Sequence, residues 1–413
     1  MRDNIDFKFK YRFLTPLIII LLSLLIIRYL FLYIDYKRLK SANIYYDDAK
    51  VVNIYNKGDK SLLKLKSSNL TIFTYSKYKA KISEWIRIKY KTKNLNFISY
   101  LRSYFTDAKI LEHIEYGLDR TKALRDYINS IHKNSNIASF YNAIFFAKTL
   151  NKELREKINA LGISHLVAIS GFHLSVLWGV IFTIVVLPYK FFQKRYFPWR
   201  NRIVDISVVA LIFLAIYTLF VGSPPALIRS YFMLLIIAIF IVLGVEILSF
   251  ELLILAFLFI LLIFPKLIVS LSFWLSIGGV FYIFLILRYF GKLKAWIIAI
   301  FLVPIGLFIF IYPISHLFFG EVNIYQLLSP ILSLIFIPFY PLTIVLHIVG
   351  FGDVFDRYLE YIFNLPTYSS YKYTNIWAGM LYILISIFAI FNKIVFLFAF
   401  VFALVLTIEL FLR

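Results

Sequence analysis

The sequence predicts an α-helical membrane protein, a polytopic bundle of about ten transmembrane helices with a small N-terminal β-barrel domain. Composition is the first reason, because 61% of the 413 residues are hydrophobic, whereas a soluble domain is nearer one half apolar. The second is the recurrence of apolar runs close to the roughly 20 residues that a helix needs to cross a bilayer. The third is a segment after the first run that alternates polar and apolar residues, which is the period of a strand.

Net charge and cysteine content narrow the possible functions. The chain has no cysteine, which excludes disulfides, thiolate catalysis and cysteine-ligated metals. Its net charge is +22, and residues 35–110 alone hold 17 Lys and Arg against 6 Asp and Glu. A basic block of this kind indicates an anionic partner, either nucleic acid or anionic lipid headgroups. A general lysine-rich bias of the source proteome is the alternative explanation of the charge.

Residues 1–35 are predicted to be a basic segment followed by the first transmembrane helix. Four basic residues precede an apolar run at 14–34. This run is too long for a signal peptide, and no small-residue cleavage site follows it. Because basic flanking residues stay on the cytoplasmic side of a membrane, the N-terminus is predicted to be cytoplasmic and the next segment to lie outside the cytoplasm.

Residues 36–110 are predicted to form an OB-like β domain outside the membrane. Residues 50–56 and 61–66 flank a glycine-containing turn, which is typical of a hairpin. Residues 85–91 alternate between an apolar face and a basic face, the pattern of a half-buried antiparallel strand. About four or five strands of this length fit a small barrel.

Aromatic and basic side chains of this β domain indicate a surface for nucleic acid. Nine tyrosines lie within residues 36–110, and the bases of a single strand stack on such rings in OB-type barrels. Tyrosine as core or strand filler is the alternative. The DNA-binding candidates are Tyr75, Arg87, Lys89, Tyr90 and Lys91.

The rest of the chain divides into a connector and a polytopic domain. Residues 111–163 are predicted to be an amphipathic helical connector, because apolar residues such as Leu111, Ile114 and Leu118 recur at helical spacing. Residues 164–413 are predicted to be a polytopic transmembrane domain, with an interfacial amphipathic helix in the link 351–375. The predicted spans after the first are 164–188, 203–221, 226–246, 248–264, 267–287, 295–318, 326–350, 376–391 and 393–412.

The most informative stretch runs from residue 162 to residue 175 and reads GISHLVAISGFHLS. It places serines and histidines at the mouth of an apolar span, where lipid-facing helices carry Leu or Val. Polar groups are costly in hydrocarbon and therefore face a bundle interior or a water-filled cavity. Gly171 interrupts the helical pattern, which predicts a close backbone approach or a local unwinding.

Three further runs place polar or helix-breaking residues in the apolar region. The run 221–230 has two prolines suited to a helix start and puts Arg229 inside a span, although an arginine near a helix end can also snorkel to the interface. The run 270–279 carries serines on one helix face, and the run 328–341 is punctuated by prolines. Such breaks predict a hydrated passage, with ordinary kinked packing as the alternative. The pore-lining candidates are Ser164, His165, Ser170, Gly171, His173, Ser223, Arg229, Ser272 and Ser276.

Catalytic residues are not indicated by the sequence. His165 and His173 have no acidic residue near them to complete a metal site, and His316, Glu321 and His347 are isolated along the chain. Adjacent serine and histidine side chains do not face each other on a helix, so structural hydrogen bonding is their expected role. We therefore expect no enzymatic activity, no metal and no cofactor.

The polar runs resemble the ComEC family of bacterial DNA-uptake proteins. Residues 162–173 follow the family's pattern Gly-[Leu/Ile]-Ser-His-Leu-[Leu/Val]-Ala-Ile-Ser-Gly-[Leu/Phe]-His almost unbroken. The run 221–230 is similar to a proline run that precedes an arginine and a span in the family. Trp274 stands where the family commonly has Gln, and Ser333 where it has Asn, which are departures. The resemblance covers residues 162–340 well and residues 36–110 only in composition.

This resemblance implies a channel that passes single-stranded DNA across the inner (cytoplasmic) membrane during natural transformation, with the OB-like domain on the periplasmic side. The implied partners are single-stranded DNA, the lipid bilayer, a cytoplasmic ATP-driven helicase-type motor and a periplasmic DNA-receiving protein. Many members carry a C-terminal metallo-β-lactamase-like nuclease domain whose His-x-His-x-Asp-His motif this sequence lacks, so we expect the second strand to be degraded elsewhere. The alternative is a polytopic small-solute or lipid transporter whose basic extracytoplasmic domain contacts lipid.

Overall fold

The computed structural model describes residues 2–57, 60–68, 70–78, 80–82, 84–116, 121–242, 250–365 and 368–412. The chain divides into two compact units, which are considered one at a time. The first unit takes Met1–Asp119 together with Ile254–Trp274, and the second takes Arg120–Leu253 together with Leu275–Arg413.

The first unit combines a long helix with a six-stranded sheet. Its N-terminal elements are α1 (Arg2–Ser41), β1 (Ile44–Lys57), β2 (Lys60–Lys66), β3 (Thr71–Ser76), β4 (Glu84–Lys91), α2 (Phe97–Leu101), β5 (Tyr104–Phe105) and β6 (Ala108–Tyr116). The strand order is β5-β3-β2-β1-β4-β6, and every neighbouring pair is antiparallel except β3 with β5.

The predicted closed barrel is wrong, because the six strands form an open sheet. A barrel closes to bury its interior face, whereas the apolar face of this sheet is covered by helices of the same unit. Leu63 and Ile86 are fully buried on that face, and Tyr36 and Leu39 of α1 pack on the same core together with Tyr100 of α2. The helical cover removes the physical reason for closure.

The predicted hairpin and the alternating strand are both confirmed. β1 and β2 pair from Lys50↔Lys66 to Lys57↔Lys60. In β4 the residues Ile86, Ile88 and Tyr90 are buried and alternate with more exposed ones. The helical prediction for residues 111–163 is wrong from Leu111 to Tyr116, because these residues belong to β6, which pairs with β4. Partnership with a central strand outweighs the helical spacing of a few apolar residues.

The remaining helices are α3 (Lys122–Ile131), α4 (Ser135–Phe146), α5 (Lys152–Ala160), α6 (Ser164–Val167), α7 (Gly171–Tyr196), α8 (Arg202–Phe220), α9 (Pro225–Val242), α10 (Phe250–Ile263), α11 (Leu271–Phe290), α12 (Ala295–Ile297), α13 (Val303–Ser315), α14 (Ser329–Val349), α15 (Asp356–Phe363), α16 (Ile376–Phe388) and α17 (Lys393–Leu412). Shorter segments are a 3₁₀ turn at Pro265–Val269, a π turn at Ile298–Leu302, a 3₁₀ turn at Ile324–Leu328 and a two-stranded ribbon of β7 (Glu321–Val322) with β8 (Ser370–Tyr371).

Seven helices of the described residues are long and apolar enough to cross a membrane, which makes this a membrane protein. They are Thr15–Ser41, Gly171–Tyr196, Arg202–Phe220, Leu271–Phe290, Ala295–Ser315, Ile324–Val349 and Lys393–Leu412. Three more apolar helices, Ala226–Phe240, Phe250–Ile263 and Ile376–Phe388, are shorter. The prediction of ten spans is therefore not confirmed, and part of two predicted spans, 243–249, lies outside the described residues. The link 351–375 does contain a helix, α15.

Candidate functional site

The polar run 162–175 folds as a short helix, a break and a long span. α6 ends before Ala168, and α7 begins at Gly171. Ser170 is the N-cap of α7: its Oγ accepts the N–H of Phe172 at 3.3 Å, and its own N–H donates to Nδ1 of His173 at 3.3 Å. This reciprocal cap satisfies donors that a helix start leaves unpaired. The predicted break at this glycine is confirmed.

Gly171 also makes the predicted close approach, because α9 passes directly over it. A Cβ added at Gly171 would lie 3.0 Å from Oγ and 3.3 Å from Cβ of Ser230. Ser230 itself is buried, and its Oγ donates to the carbonyl oxygen of Ala226 at 2.9 Å. The absence of a side chain at position 171 therefore lets the runs 162–175 and 221–230 meet.

Arg229 joins the second polar run to the third. α9 begins at Pro225, as two adjacent prolines predict, so Arg229 lies in its second turn. Its side chain is buried, with 7% exposed, and Nη2 donates to Oγ of Ser276 on α11 at 3.5 Å. A snorkelling arginine would extend to the surface, whereas this guanidinium turns inward. The side chain is thus a cation held among apolar helices.

The fourth run joins the first through His165. Nε2 of His165 lies 3.2 Å from Oγ of Ser333, and its Nδ1 lies 3.1 Å from the carbonyl oxygen of Gly162. Oγ of Ser329 donates to the same carbonyl oxygen at 3.2 Å. The start of α14 is therefore anchored on the polar run that precedes α7.

The nine pore-lining candidates do not share one environment. Ser164 and His165 are exposed, whereas His173 is fully buried, with its ring edge-on to Phe336 at 5.2 Å and to Tyr340 at 4.8 Å. Ser223 has a positive φ of 55° in the loop between α8 and α9, where it follows Gly222 at 91°. Oγ of Ser272 lies 3.2 Å from Oγ of Ser270, whereas Oγ of Ser276 accepts the hydrogen bond from Arg229.

Sequence reasoning missed two amide side chains beside the first run, Asn159 and Gln326. Oδ1 of Asn159 accepts the hydroxyl of Ser164 at 2.5 Å. Gln326 is buried, its Oε1 accepts the hydroxyl of Tyr312 at 2.6 Å, and its Cγ lies 3.1 Å from the position of a Cβ on Gly162. A glutamine inside an apolar run was the available signal, since buried amides need partners.

His347 and His316 are isolated along the chain but not in the folded structure, so the prediction that they are isolated is wrong. Nδ1 of His132 lies 2.9 Å from both carboxylate oxygens of Asp356, and its ring also faces that of His347. His316 contacts the backbone oxygens of Tyr312 at 2.9 Å and of Glu321 at 3.1 Å. More than two hundred residues separate His132 from Asp356 along the chain, so no local pattern relates them.

Among the described residues, no group of three or more His, Cys, Asp or Glu side chains is placed to hold a metal ion.

The open face of the first unit's sheet is basic, but its charges are partly neutralised. Nε of Arg87 lies 2.9 Å from Asp48 and its Nη1 lies 3.2 Å from Glu112. The hydrogen bond and the charge of Asp48, followed by the charge of Glu112, raise the pKa of Arg87. Lys91 is exposed, and Nζ of Lys89 lies 5.1 Å above the ring of Tyr46.

Two tyrosines predicted to contact DNA have different surroundings. Tyr90 is 1% exposed and belongs to the core of the sheet, so its ring offers no face to a base and that prediction is corrected. Tyr75 is 40% exposed and lies edge-on to Phe105 at 5.6 Å. Tyr46 and Trp85, which sequence reasoning did not select, are exposed, and each pairs across strands with a lysine. Their position opposite Lys89 and Lys50 becomes visible only once the register is known.

Comparison with known proteins identifies one family. A family model described as "Competence protein" matches residues 146–412, which is more than half of the chain. No curated protein and no solved structure matches it. The matched residues contain all four polar runs and exclude the sheet of the first unit.

Proposed function

Because the chain belongs to the competence protein family, we propose that it is the channel through which single-stranded DNA crosses the cytoplasmic membrane during natural transformation. Membership of the family indicates a role in DNA uptake, and the seven apolar helices agree with a membrane step. The more specific proposal, that the strand passes through the helical domain of this chain, rests on the geometry of the polar runs.

The observation that carries the proposal is the inward-turned Arg229. A cation inside a membrane bundle is costly and marks a functional site by default. A guanidinium also forms bidentate hydrogen bonds with phosphate, which an ammonium does not. Arg229 contacts Ser276, and its neighbour Ser230 lies against the break at Gly171. A phosphate that moves past this cluster meets one cation and several hydroxyl groups within an apolar surround.

The sheet of the first unit is proposed to receive the strand before it enters. Exposed lysines supply contacts for the backbone, whose binding weakens as salt rises. Exposed Tyr46 and Trp85 supply faces on which bases stack. With a cytoplasmic N-terminus this sheet would lie outside the cytoplasm, where a DNA-receiving protein delivers the strand. A cytoplasmic ATP-driven motor would pull it, and this chain would contribute no catalytic step.

The test is complementation of a deletion strain supplied with fluorescent DNA. Arg229→Leu is expected to insert at the wild-type level and to leave DNA outside the cytoplasm, whereas Arg229→Lys should retain part of the uptake. Arg195→Leu is the matched control, because Arg195 is exposed in the last turn of α7. Normal uptake by Arg229→Leu would show that this residue does not contribute to DNA passage. Normal uptake by the deletion strain would show that the protein is not the channel.

The alternative function, transport of a lipid or small solute, also has a structural observation. An apolar groove of about 500 Å³ is lined by residues of α7, among them Phe172, Val176 and Val180, and by Ile337 of α14. A groove of this size and lining accommodates an acyl chain. A deletion strain that transforms normally but has an altered lipid composition would favour this alternative over the channel.

A further inference from the structure

The apolar groove on α7 leads along the helix towards a pair of lysines. The groove has a volume of about 500 Å³ and is lined by one face of α7 and by Ile337 of α14. Ser175, Gly179 and Thr183 line it at intervals of four residues, and nothing lies within 4 Å of a Cβ built on Gly179. These small side chains leave the groove open along about 12 Å of the helix.

The two lysines lie on the same face of α7 as the groove. Lys190 and Lys194 follow Thr183 by seven and eleven residues. At 3.6 residues per turn, both positions return to within about 20° of the direction in which Thr183 points. α7 is one helix from Gly171 to Tyr196, so this face continues from the groove to the lysines. Both lysines are exposed. An apolar groove therefore ends about 10 Å along the helix from the first of two accessible cations.

No carboxylate of the described residues forms an ion pair with either lysine. The sequence has no Asp or Glu from residue 157 to residue 204. Asp205 is the first one after that range, and it is already occupied. It accepts hydrogen bonds from Nε and Nη2 of Arg200 at 2.6 and 2.7 Å, and the hydroxyl of Tyr189 donates to it as well. The positive charge at the end of the groove is thus available to a ligand.

Exposed apolar and aromatic side chains surround the same end of α7. Ile184 and Leu187 precede the lysines on the helix, and Phe191 and Trp199 follow; all four are exposed. Aromatic rings next to basic residues at the end of an apolar span are typical of the boundary between membrane and water. The surface is continuous with the lipid-facing side of the span, so the lysines lie at the level of the phospholipid headgroups.

We propose that this face of α7 holds one anionic phospholipid, with an acyl chain in the groove and the headgroup phosphate at Lys190 and Lys194. Lysine binds phosphate as a point charge, and lysines beside a span attract anionic lipids. A zwitterionic lipid fills the groove equally well but gains less from the two cations. The site therefore prefers phosphatidylglycerol to phosphatidylcholine. The lipid stays bound, which differs from carrying lipid across the membrane, and its binding does not require DNA.

The experiment is native mass spectrometry of the full-length protein, released from an uncharged detergent after incubation with equal amounts of phosphatidylglycerol and phosphatidylcholine. Wild-type protein is expected to retain one phosphatidylglycerol in preference to phosphatidylcholine. Gly179→Leu should lose both lipids, because the new side chain occupies the groove. Lys190→Gln and Lys194→Gln should each weaken binding of phosphatidylglycerol by about fivefold and leave that of phosphatidylcholine unchanged.

Two variants on α11 and its loop are the matched controls. Gly279→Leu places the same side chain on a different helix, where again nothing lies within 4 Å of a Cβ. Lys292→Gln removes an exposed lysine from the loop after α11. Both should retain lipid as the wild type does. The lysines of the site are exposed and the space at Gly179 is open, so the test variants are expected to fold, and size-exclusion profiles check this.

Equal retention of the two lipids by the wild type would overturn the proposal, as would unchanged retention by Gly179→Leu. A loss in Lys292→Gln equal to that in Lys190→Gln would also overturn it. A dimer without lipid that Gly179→Leu abolishes would assign the groove to a second copy of the chain instead. Displacement of phosphatidylglycerol by a single-stranded oligonucleotide would assign the lysines to DNA. Arg229→Leu should retain the lipid, which keeps this test separate from that of the channel.

Discussion

The Nε2 atoms of His132 and His347 lie 3.0 Å apart in the interior of the helical unit. Nδ1 of His132 lies 2.9 Å from the carboxylate of Asp356, and Nδ1 of His347 donates its proton to the carbonyl oxygen of Thr343 at 2.7 Å. Two bare Nε2 lone pairs at 3.0 Å would repel each other. A proton therefore lies between the two rings, donated by one Nε2 and accepted by the other.

This sharing predicts strong coupling between the two histidines. His132→Gln or His347→Gln alone should destabilise the protein by about 1–3 kcal/mol, because each leaves buried partners unpaired. The double variant should lose less than the sum, with a coupling free energy of about 0.5–3 kcal/mol. Unfolding of the purified protein in detergent measures all three.

His316→Gln is the control for this cycle, because His316 is also buried but its ring nitrogens face the backbone oxygens of Tyr312 and Glu321 and the hydroxyl of Ser315 rather than another histidine. Its effect should add to that of His347→Gln. Additivity in the His132 and His347 pair would show that no proton is shared.

The crossing at Gly171 predicts a contrast between two glycines of the same helix. Gly171→Ala should lower stability and DNA uptake, because the new Cβ would lie 3.0 Å from Oγ of Ser230. Gly179→Ala should be neutral or stabilise α7 by about 0.5–1 kcal/mol, since nothing lies within 4 Å of a Cβ there. Thermal unfolding and transformation frequency measure both variants.

A second substitution makes the Gly171 prediction sharper. Ser230→Ala removes the nearest atom, so the pair Gly171→Ala with Ser230→Ala should recover part of the loss. Equal behaviour of the two alanine variants, at 171 and at 179, would mean that the close approach does not constrain the helices.

The exposed aromatic rings on the open face of the sheet are expected to contribute to DNA affinity, so their removal should weaken DNA binding. Tyr46→Ala and Trp85→Ala should each weaken binding of a single-stranded oligonucleotide by about 1–3 kcal/mol if a base stacks there. Tyr361→Ala is the control, since Tyr361 is 73% exposed on α15, in the other unit. Fluorescence anisotropy at fixed salt gives the affinities, and an equal change in the control would point to a non-specific effect.

Lys266 predicts a pH dependence of stability. Burial lowers the pKa of its ammonium from 10.5 to about 8, although the charge of Asp35 opposes the shift. Between these two values the unfolded chain binds more protons than the folded protein, so stability should rise with pH through this window. Melting temperatures from pH 7.5 to 10 should therefore climb in wild type and remain flatter in Lys266→Met.

Lys292→Met is the control, because Lys292 is exposed in the loop after α11. It should retain the wild-type slope. A Lys266→Met variant with that same slope would show that the titration of Lys266 does not contribute.

Several features were readable from the sequence because they depend on neighbours along the chain. The apolar runs, the break at Gly171, the hairpin between β1 and β2 and the alternation of β4 all follow from local periodicity and turn chemistry. The family resemblance of residues 162–173 lies within the matched range. Each of these patterns is complete within a short window.

The tertiary structure decided what depends on distant residues. The sheet is open because α1 and α2 cover its apolar face, and strand composition does not reveal what will cover it. Tyr90 lies inside and Tyr46 outside because pairing register sets the face of each side chain. His132 meets His347 only because packing brings α14 beside the segment that follows α3. Period and turn signals are local, whereas burial, pairing and hydrogen-bond partners are properties of the whole fold.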